Sequence, residues 1–103
     1  MAEKDYVIPK TFHQRNRKVV VKQMSSSLSD ELKRHGDFCR DNFIIRLAPC
    51  QNQETLESTY FHELAHCLLE GTTKPQLTHN EKFVDSLGAM LHQYMQTAKG
   101  EYK

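Results

Sequence analysis

Two histidines four residues apart, with a glutamate beside the first, have the clearest chemical potential in this sequence. The segment reads His62-Glu63-Leu64-Ala65-His66. On a helix, residues four apart lie on one face, so both imidazoles can bind the same metal ion. Glu63 is offset from that face, where it can take a proton from a water on the metal. The segment therefore predicts a metal site with two histidine ligands and Glu63 as general base.

A third ligand is expected further along the chain, because a catalytic zinc site normally has three protein ligands and one open position. Glu81 and Asp85 lie one helical turn apart in the segment that follows Asn80. We expect Glu81 to bind the metal and Asp85 to accept a hydrogen bond from a ligating histidine. Gly88 on the same face would let this second helix lie close to the first.

Each of these acidic residues also has a structural alternative. The run from Thr78 to Glu81 matches a capping box, in which Glu81 only closes the start of a helix. An acidic residue such as Asp85, in the early turns of a helix, is also favoured by the helix dipole. The two histidines could likewise be surface residues of an amphipathic helix.

A rival metal site would use cysteines. Cys39, Cys50, His62 and His66 offer the ligand types of a structural zinc finger, but ten residues separate the two cysteines. Spacings of about two to four residues are usual in such sites, which argues against this alternative. Cys67 follows His66 on the helix and points away from the metal face, so we expect it to be a small buried apolar residue.

The strands that would support this site are predicted by β-branched and turn residues. The run of valines in Lys18–Met24 predicts one strand. Gly36–Cys39 and Phe43–Leu47 flank a polar turn at residues 40–42 and predict a β-hairpin. We expect these strands to form a small antiparallel sheet.

Two long helices and one short helix are predicted. The first long helix runs from about Gln53 to Glu70 and ends at Gly71, and the second runs from an Asn80 cap to about Thr97. A short helix is predicted over residues 29–35, with Ser29 as its cap and Gly36 at its end. The expected buried stripes are Phe61, Leu64, Ala65, Leu68 and Leu69 in the first helix, and Val84, Leu87, Gly88, Leu91 and Tyr94 in the second. This order of elements predicts an α+β fold.

The length and charge of the chain limit the classes of protein to consider. It has 103 residues and a formal net charge of +1, so we assign residues 1–103 to a single domain that binds neither nucleic acid nor membranes. No apolar run approaches the ~20 residues that cross a bilayer, and the start of the chain does not resemble a signal peptide. We therefore expect a cytoplasmic protein with reduced cysteines.

The first part of the chain, residues 1–12, is predicted to be an arm without periodicity of its own. Its short apolar stretch, Tyr6 to Ile8, could dock in extended form on a free edge of the sheet. A substrate peptide would add to the same edge. We therefore expect the arm to lie over or beside the metal cleft and to lower activity, with a frayed or simply structural N-terminal strand as the alternative.

The pattern H-E-x-x-H at residues 62–66, followed by N-E-x-x-x-D at residues 80–85, resembles the zinc signature of the gluzincin metallopeptidases. The short spacing and chain length are most similar to the minigluzincins and to small metallopeptidases predicted from phages and prophages. The resemblance implies one zinc ion per chain and a peptide or protein substrate bound along the hairpin. It also implies His62, His66 and Glu81 as ligands, Glu63 as base, and Asp85 as the partner of a ligand.

One feature of the larger gluzincins has no clear counterpart. They add a tyrosine or histidine that stabilises the oxyanion, and the candidates here are His13, Tyr60, His79 and Tyr94. We expect a zinc-dependent metallopeptidase that cuts peptide bonds with a metal-activated water. The alternative is a zinc-bound binding or regulatory protein of the same fold with little hydrolytic activity.

Overall fold

A four-stranded mixed sheet and two long helices make up most of the structure, a computed structural model that describes residues 8–32, 34–49 and 51–102. This is the predicted α+β class. The elements are β1 (Thr11–Gln14), β2 (Arg17–Gln23), α1 (Ser26–Leu32), β3 (Gly36–Cys39), β4 (Ile44–Leu47), α2 (Gln53–Glu70), a 3₁₀ turn (Pro75–His79) and α3 (Glu81–Thr97).

The sheet has the order β1-β2-β4-β3. The hairpin of β3 and β4 is antiparallel, as predicted, but β4 pairs with β2 in parallel, with Val20 opposite Ile44. The expectation of an antiparallel sheet was therefore wrong in this respect. After β2 the chain passes through α1 to the outer strand β3 and then turns back into β4, so β4 runs in the direction of β2. This order places the buried Ile45 and Leu47 beside β2 and leaves β3 at an edge.

The part of the predicted arm that the structure describes lies at the opposite edge of the sheet from β3. Thr11 and Phe12 begin β1, which pairs with β2, and the Lys10 carbonyl accepts a hydrogen bond from the Val21 N–H (2.8 Å). Phe12 also packs against the core, which holds this strand in place. Residues 8–12 therefore do not lie beside β3, and Tyr6 and Val7 lie outside the described residues.

The main core lies between the sheet and α2. Val19, Val21, Ile45 and Leu47 of the sheet pack against Tyr60, Phe61 and Cys67 of the helix. Full burial of one such large apolar side chain contributes about 1.5–3 kcal/mol to stability. This layer fixes the position of α2 on the sheet.

Helix α2 has the predicted ends. The Asn52 side chain accepts a hydrogen bond from the Thr55 N–H (2.8 Å), and the Gly71 N–H donates to the Leu68 carbonyl (3.0 Å). Leu64 and Leu68, predicted to be core, are only partly buried. Because α2 lies between the sheet and α3, its buried positions spread over a wide arc: Glu57, Tyr60, Phe61, Glu63, Ala65, Cys67 and Leu69.

Helix α3 begins where the sequence predicts. The Asn80 side chain accepts a hydrogen bond from the Phe83 N–H (3.1 Å), so Asn80 is the N-cap and Glu81 is the first helical residue. Val84 and Gly88 are buried as expected, but Tyr94 is 66% exposed and Met95 packs against the core instead. Near its end, the buried face of α3 therefore includes Met95 in place of the predicted Tyr94.

Helix α1 starts three residues before the predicted position, at Ser26. The Ser25 hydroxyl accepts a hydrogen bond from the Leu28 N–H (3.1 Å), so Ser25 rather than Ser29 lies at the cap. Gly36 belongs to β3 and does not end this helix. Among the described residues, no helix has the length and apolar character needed to cross a membrane.

Candidate metal centre

Three side chains from α2 and α3 converge on one point. His62 Nε2 lies 3.3 Å from Glu81 Oε2, and His66 Nε2 lies 3.5 Å from Glu81 Oε1. The ligand atoms of the three residues all lie within 4.8 Å of one another. His62, His66 and Glu81 therefore form a group that could hold a metal ion, and the structure brings together the three residues that the sequence singled out.

The second nitrogen of each imidazole has a partner of its own. His62 Nδ1 lies 2.8 Å from Asp85 Oδ1, and His66 Nδ1 lies 2.6 Å from the Thr78 hydroxyl. Such contacts fix the ring orientation and the tautomer of a histidine ligand. Both rings are thus held with Nε2 toward Glu81, which is the arrangement a shared cation needs.

Thr78 is a site residue that the sequence analysis missed. Its sequence position predicts only a capping-box role, whereas Asn80 caps α3 and Thr78 contacts His66 from the 3₁₀ turn. The capping-box role for Glu81 is not needed, because Asn80 provides the cap. The carboxylate of Glu81, 65% exposed, instead faces the two histidines.

A close crossing of α2 and α3 allows Glu81 and Asp85 to reach the histidines. A Cβ atom added at Gly88 would lie 3.0 Å from the Phe61 carbonyl oxygen and 3.1 Å from the His62 Cα. Any other residue at this position would press on the backbone of α2. Gly88 therefore has the role in helix approach that the sequence predicted.

Glu63 lies next to the group but is buried, with 8% of its surface exposed. Burial raises the pKa of Glu63 to about 7, while the nearby charge of His62 acts in the opposite direction. The acidic groups of Asp37 and Glu81 raise this pKa further, and Arg34 lowers it. A carboxyl group with a pKa near neutrality is suited to accept and return a proton.

Burial also lowers the pKa of His66 below its ordinary value, against the opposing effect of Glu81. The lowered pKa favours the neutral imidazole, which is the form that binds metals. The surroundings of His66 are therefore compatible with a metal ligand.

The group opens into a cleft of about 560 Å³. Residues 36–38 of the edge strand β3, the end of α2 and the 3₁₀ turn line this cleft. The cleft also contains Arg34, Arg40, Glu63, Glu70, Thr78 and His79.

Neither of the two described cysteines joins this group. Cys39 lies in β3 outside the His62, His66 and Glu81 cluster, and Cys50 lies outside the described residues. Cys67 is fully buried, as predicted, and its thiol donates to Gln14 Oε1 (3.2 Å). Burial raises the pKa of the Cys67 thiol to about 11, so it stays protonated at neutral pH.

The four candidates for an oxyanion-stabilising residue lie in different places. His79 lines the cleft. Tyr60 is buried in the main core, His13 lies in β1 at the far edge of the sheet, and Tyr94 is exposed on α3. Only His79 among these four borders the space beside the metal-binding group.

Comparison with known proteins adds no relative from which a role could be transferred. No protein-family model, curated protein or solved structure matches this chain.

Proposed function

We propose that this chain is a zinc-dependent metallopeptidase of the gluzincin type, which hydrolyses peptide bonds. One observation carries the proposal: the buried carboxyl group of Glu63 lines the same cleft as the convergent His62, His66 and Glu81. A metal-binding group alone would suit many proteins. A proton acceptor with a pKa near 7 beside it is the added feature that hydrolysis requires.

The chemistry of the donor set supports zinc. Two imidazoles and one carboxylate match the ligands of catalytic zinc sites, whereas magnesium and calcium prefer oxygen ligands. Zinc in a site of three ligands supplies Lewis acidity, which polarises a carbonyl group and lowers the pKa of water to about 7. His62, His66 and Glu81 would hold it, with Asp85 and Thr78 fixing the two rings.

Glu63 would transfer the proton. Its carboxylate takes a proton from the attacking water as the water oxygen adds to the scissile carbonyl carbon. The same proton then passes to the leaving nitrogen as the C–N bond breaks, so Glu63 ends the cycle in its starting form. The raised pKa of Glu63 suits both halves of this transfer at neutral pH.

The substrate would bind along β3. In the described sheet this strand pairs with β4 on one side and with no strand on the other, and its residues 36–38 line the cleft. A peptide added there as a strand would present a carbonyl group to the metal-binding group. His79, which also lines the cleft, would stabilise negative charge on that carbonyl oxygen.

A zinc-bound binding or regulatory protein is the second candidate. The specific observation in its favour is the shortness of the substrate platform, since β3 contains only four residues. Glu81 and Asp85 are also 65% and 68% exposed at the side chain, which leaves the group poorly shielded from water. Such a protein would use the metal for structure or for binding a partner.

Digestion of a peptide library separates the two candidates. The full chain is loaded with zinc, incubated with unstructured peptides, and the products are identified by mass spectrometry. We expect cleavage that a chelator abolishes and that added zinc restores. Zinc binding without cleavage at any pH would reject the peptidase and favour the binding protein.

A further inference from the structure

A polar pair with a buried carboxylate joins α2 to α3 outside the cleft. Glu57 is 1% exposed, and its Oε1 lies 3.2 Å from His92 Nε2. Its other oxygen, Oε2, accepts a hydrogen bond from Gln53 Nε2 (2.9 Å). Neither Glu57 nor His92 lines the cleft, so the proposed hydrolysis does not use them.

The His92 ring is also held by an aromatic contact. It stacks on Phe61, with 5.0 Å between the ring centroids and 15° between the planes. Phe61 immediately precedes the ligand His62. His92 therefore contacts α2 through a hydrogen bond and through a residue adjacent to the metal-binding group.

The pair and the metal-binding group both use the face of α3 that packs against α2, at different heights along the helix. Glu81, Asp85, Gly88 and His92 recur at helical spacing on α3, and His92 lies about 10 Å along the axis from Asp85. Gly88 lies between them, where it meets the backbone of Phe61 and His62. A rotation or slide of α3 at this crossing would move Glu81 and Asp85 away from the histidines.

The apolar contacts between α2 and α3 fix the position of α3 along α2 less firmly than the hydrogen bond between Glu57 and His92. Val84 packs with Ala65 and Leu69, and such contacts are non-directional. A hydrogen bond to a buried carboxylate has a defined geometry, although burying the charge costs free energy. Replacing a buried ionic pair with apolar residues is often neutral or favourable for stability. The distinctive contribution of this pair is therefore a defined geometry rather than added stability.

We propose that Glu57 and His92 are positioning residues, which hold α3 in the register that brings Glu81 and Asp85 to His62 and His66. This inference rests on the metal site of the proposed function. It predicts that metal affinity and the His62 to Asp85 hydrogen bond depend on a contact that touches neither the metal nor the substrate.

The test is the double variant Glu57→Leu/His92→Phe, in which the introduced phenyl ring keeps the stacking on Phe61. We expect a melting temperature close to that of the parent chain and a zinc affinity lower by roughly 2- to 30-fold, as for couplings through packed networks. In the metal-free protein, NMR should show loss of the Nδ1–H tautomer of His62 that the Asp85 contact favours. Unchanged affinity and an unchanged tautomer would overturn the inference.

Two further variants keep the test decisive. Ile45→Val removes a methylene group from the sheet core and should lower stability without changing zinc affinity, which controls for destabilisation alone. If the double variant does not fold, Glu57→Gln/His92→Phe retains the Gln53 contact and avoids a buried charge. If the parent chain binds no zinc, the proposed function fails, and the His62 tautomer alone still decides the positioning role.

Discussion

The Oδ1 atom of Asp85 lies 2.8 Å from Nδ1 of His62, so a carboxylate of α3 orients a ring of α2 whose other nitrogen lies near Glu81. Replacing it by Asn removes the charge that makes the imidazole more basic. We expect Asp85→Asn to weaken zinc affinity by about 10- to 100-fold. Stability should change little, because the Asp85 side chain is 68% exposed.

Competition with a chromophoric chelator measures that loss. Asp41→Asn, a change at an exposed acidic residue in the hairpin turn, is the matched control and should bind zinc like the parent chain. Equal affinity of the Asp85 variant and the control would leave Asp85 with only a helix-dipole role.

The ligand set predicts opposite results for a glutamate and a cysteine. Glu81→Ala removes one of the three converging side chains and should reduce bound zinc to well below one per chain, whereas Cys39→Ser should retain it. Elemental analysis after dialysis against dilute zinc measures the content. Retention in the glutamate variant with loss in the cysteine variant would replace this site by a structural one that uses cysteines.

Gly88→Ala tests the close helix crossing. The added methyl group would lie 3.0 Å from the Phe61 carbonyl oxygen, so α3 must shift away from α2. Alanine favours a helix by about 1 kcal/mol over glycine, and this gain offsets part of the strain. We therefore expect a modest change in thermal stability with a clear loss of zinc affinity.

The control for this variant is Ala89→Gly, at an exposed position on the same helix. It should cost about 1 kcal/mol of stability with zinc affinity unchanged. If Gly88→Ala binds zinc as tightly as the parent chain, the close crossing is not needed by the metal-binding group.

The raised pKa of Glu63 predicts a pH dependence of stability in the metal-free protein. The folded chain holds this proton up to a pH of about 7, and the unfolded chain releases it near 4.5. Between these values the folded state binds more protons, so the free energy of unfolding falls as pH rises. Across this pH range the contribution of Glu63 to the free energy of unfolding falls by about 3 kcal/mol.

Urea unfolding of the parent chain and of Glu63→Gln, from pH 4 to pH 8, measures this effect. His66 contributes the opposite slope, because its lowered pKa removes stability as pH falls, but it is present in both proteins. We expect the free energy of unfolding of the parent chain to fall, relative to that of Glu63→Gln, as pH rises from about 4.5 to about 7. A difference independent of pH would show that burial does not perturb this carboxyl group.

Local signals in the sequence predicted the elements that carry the site. The Asn80 side chain marks the start of α3, and Gly71, which has no side chain, marks the end of α2. Residues 40–42 mark the hairpin turn. His62 and His66 share a helix, so their proximity follows from spacing alone. These features need no knowledge of how distant segments pack.

The remaining features depend on contacts between distant segments. Parallel pairing of β2 with β4 is decided by which strand buries its side chains at the centre of the sheet, and the sequence pattern of either strand does not reveal it. Thr78 reaches His66 only because the 3₁₀ turn folds back against α2. The Glu57 and His92 pair spans 35 residues and becomes visible only through the folded contact and the burial of Glu57.

Peptide cleavage by the zinc-loaded chain and by its Glu63→Gln variant, with zinc content measured on the same samples, tests the central claim most directly. The variant keeps His62, His66 and Glu81, so we predict one zinc per chain in both proteins. Cleavage should fall by about 10²- to 10⁴-fold in the variant, the range expected for loss of a general base. Equal cleavage by both proteins, or no cleavage by the zinc-loaded parent chain, would contradict the account.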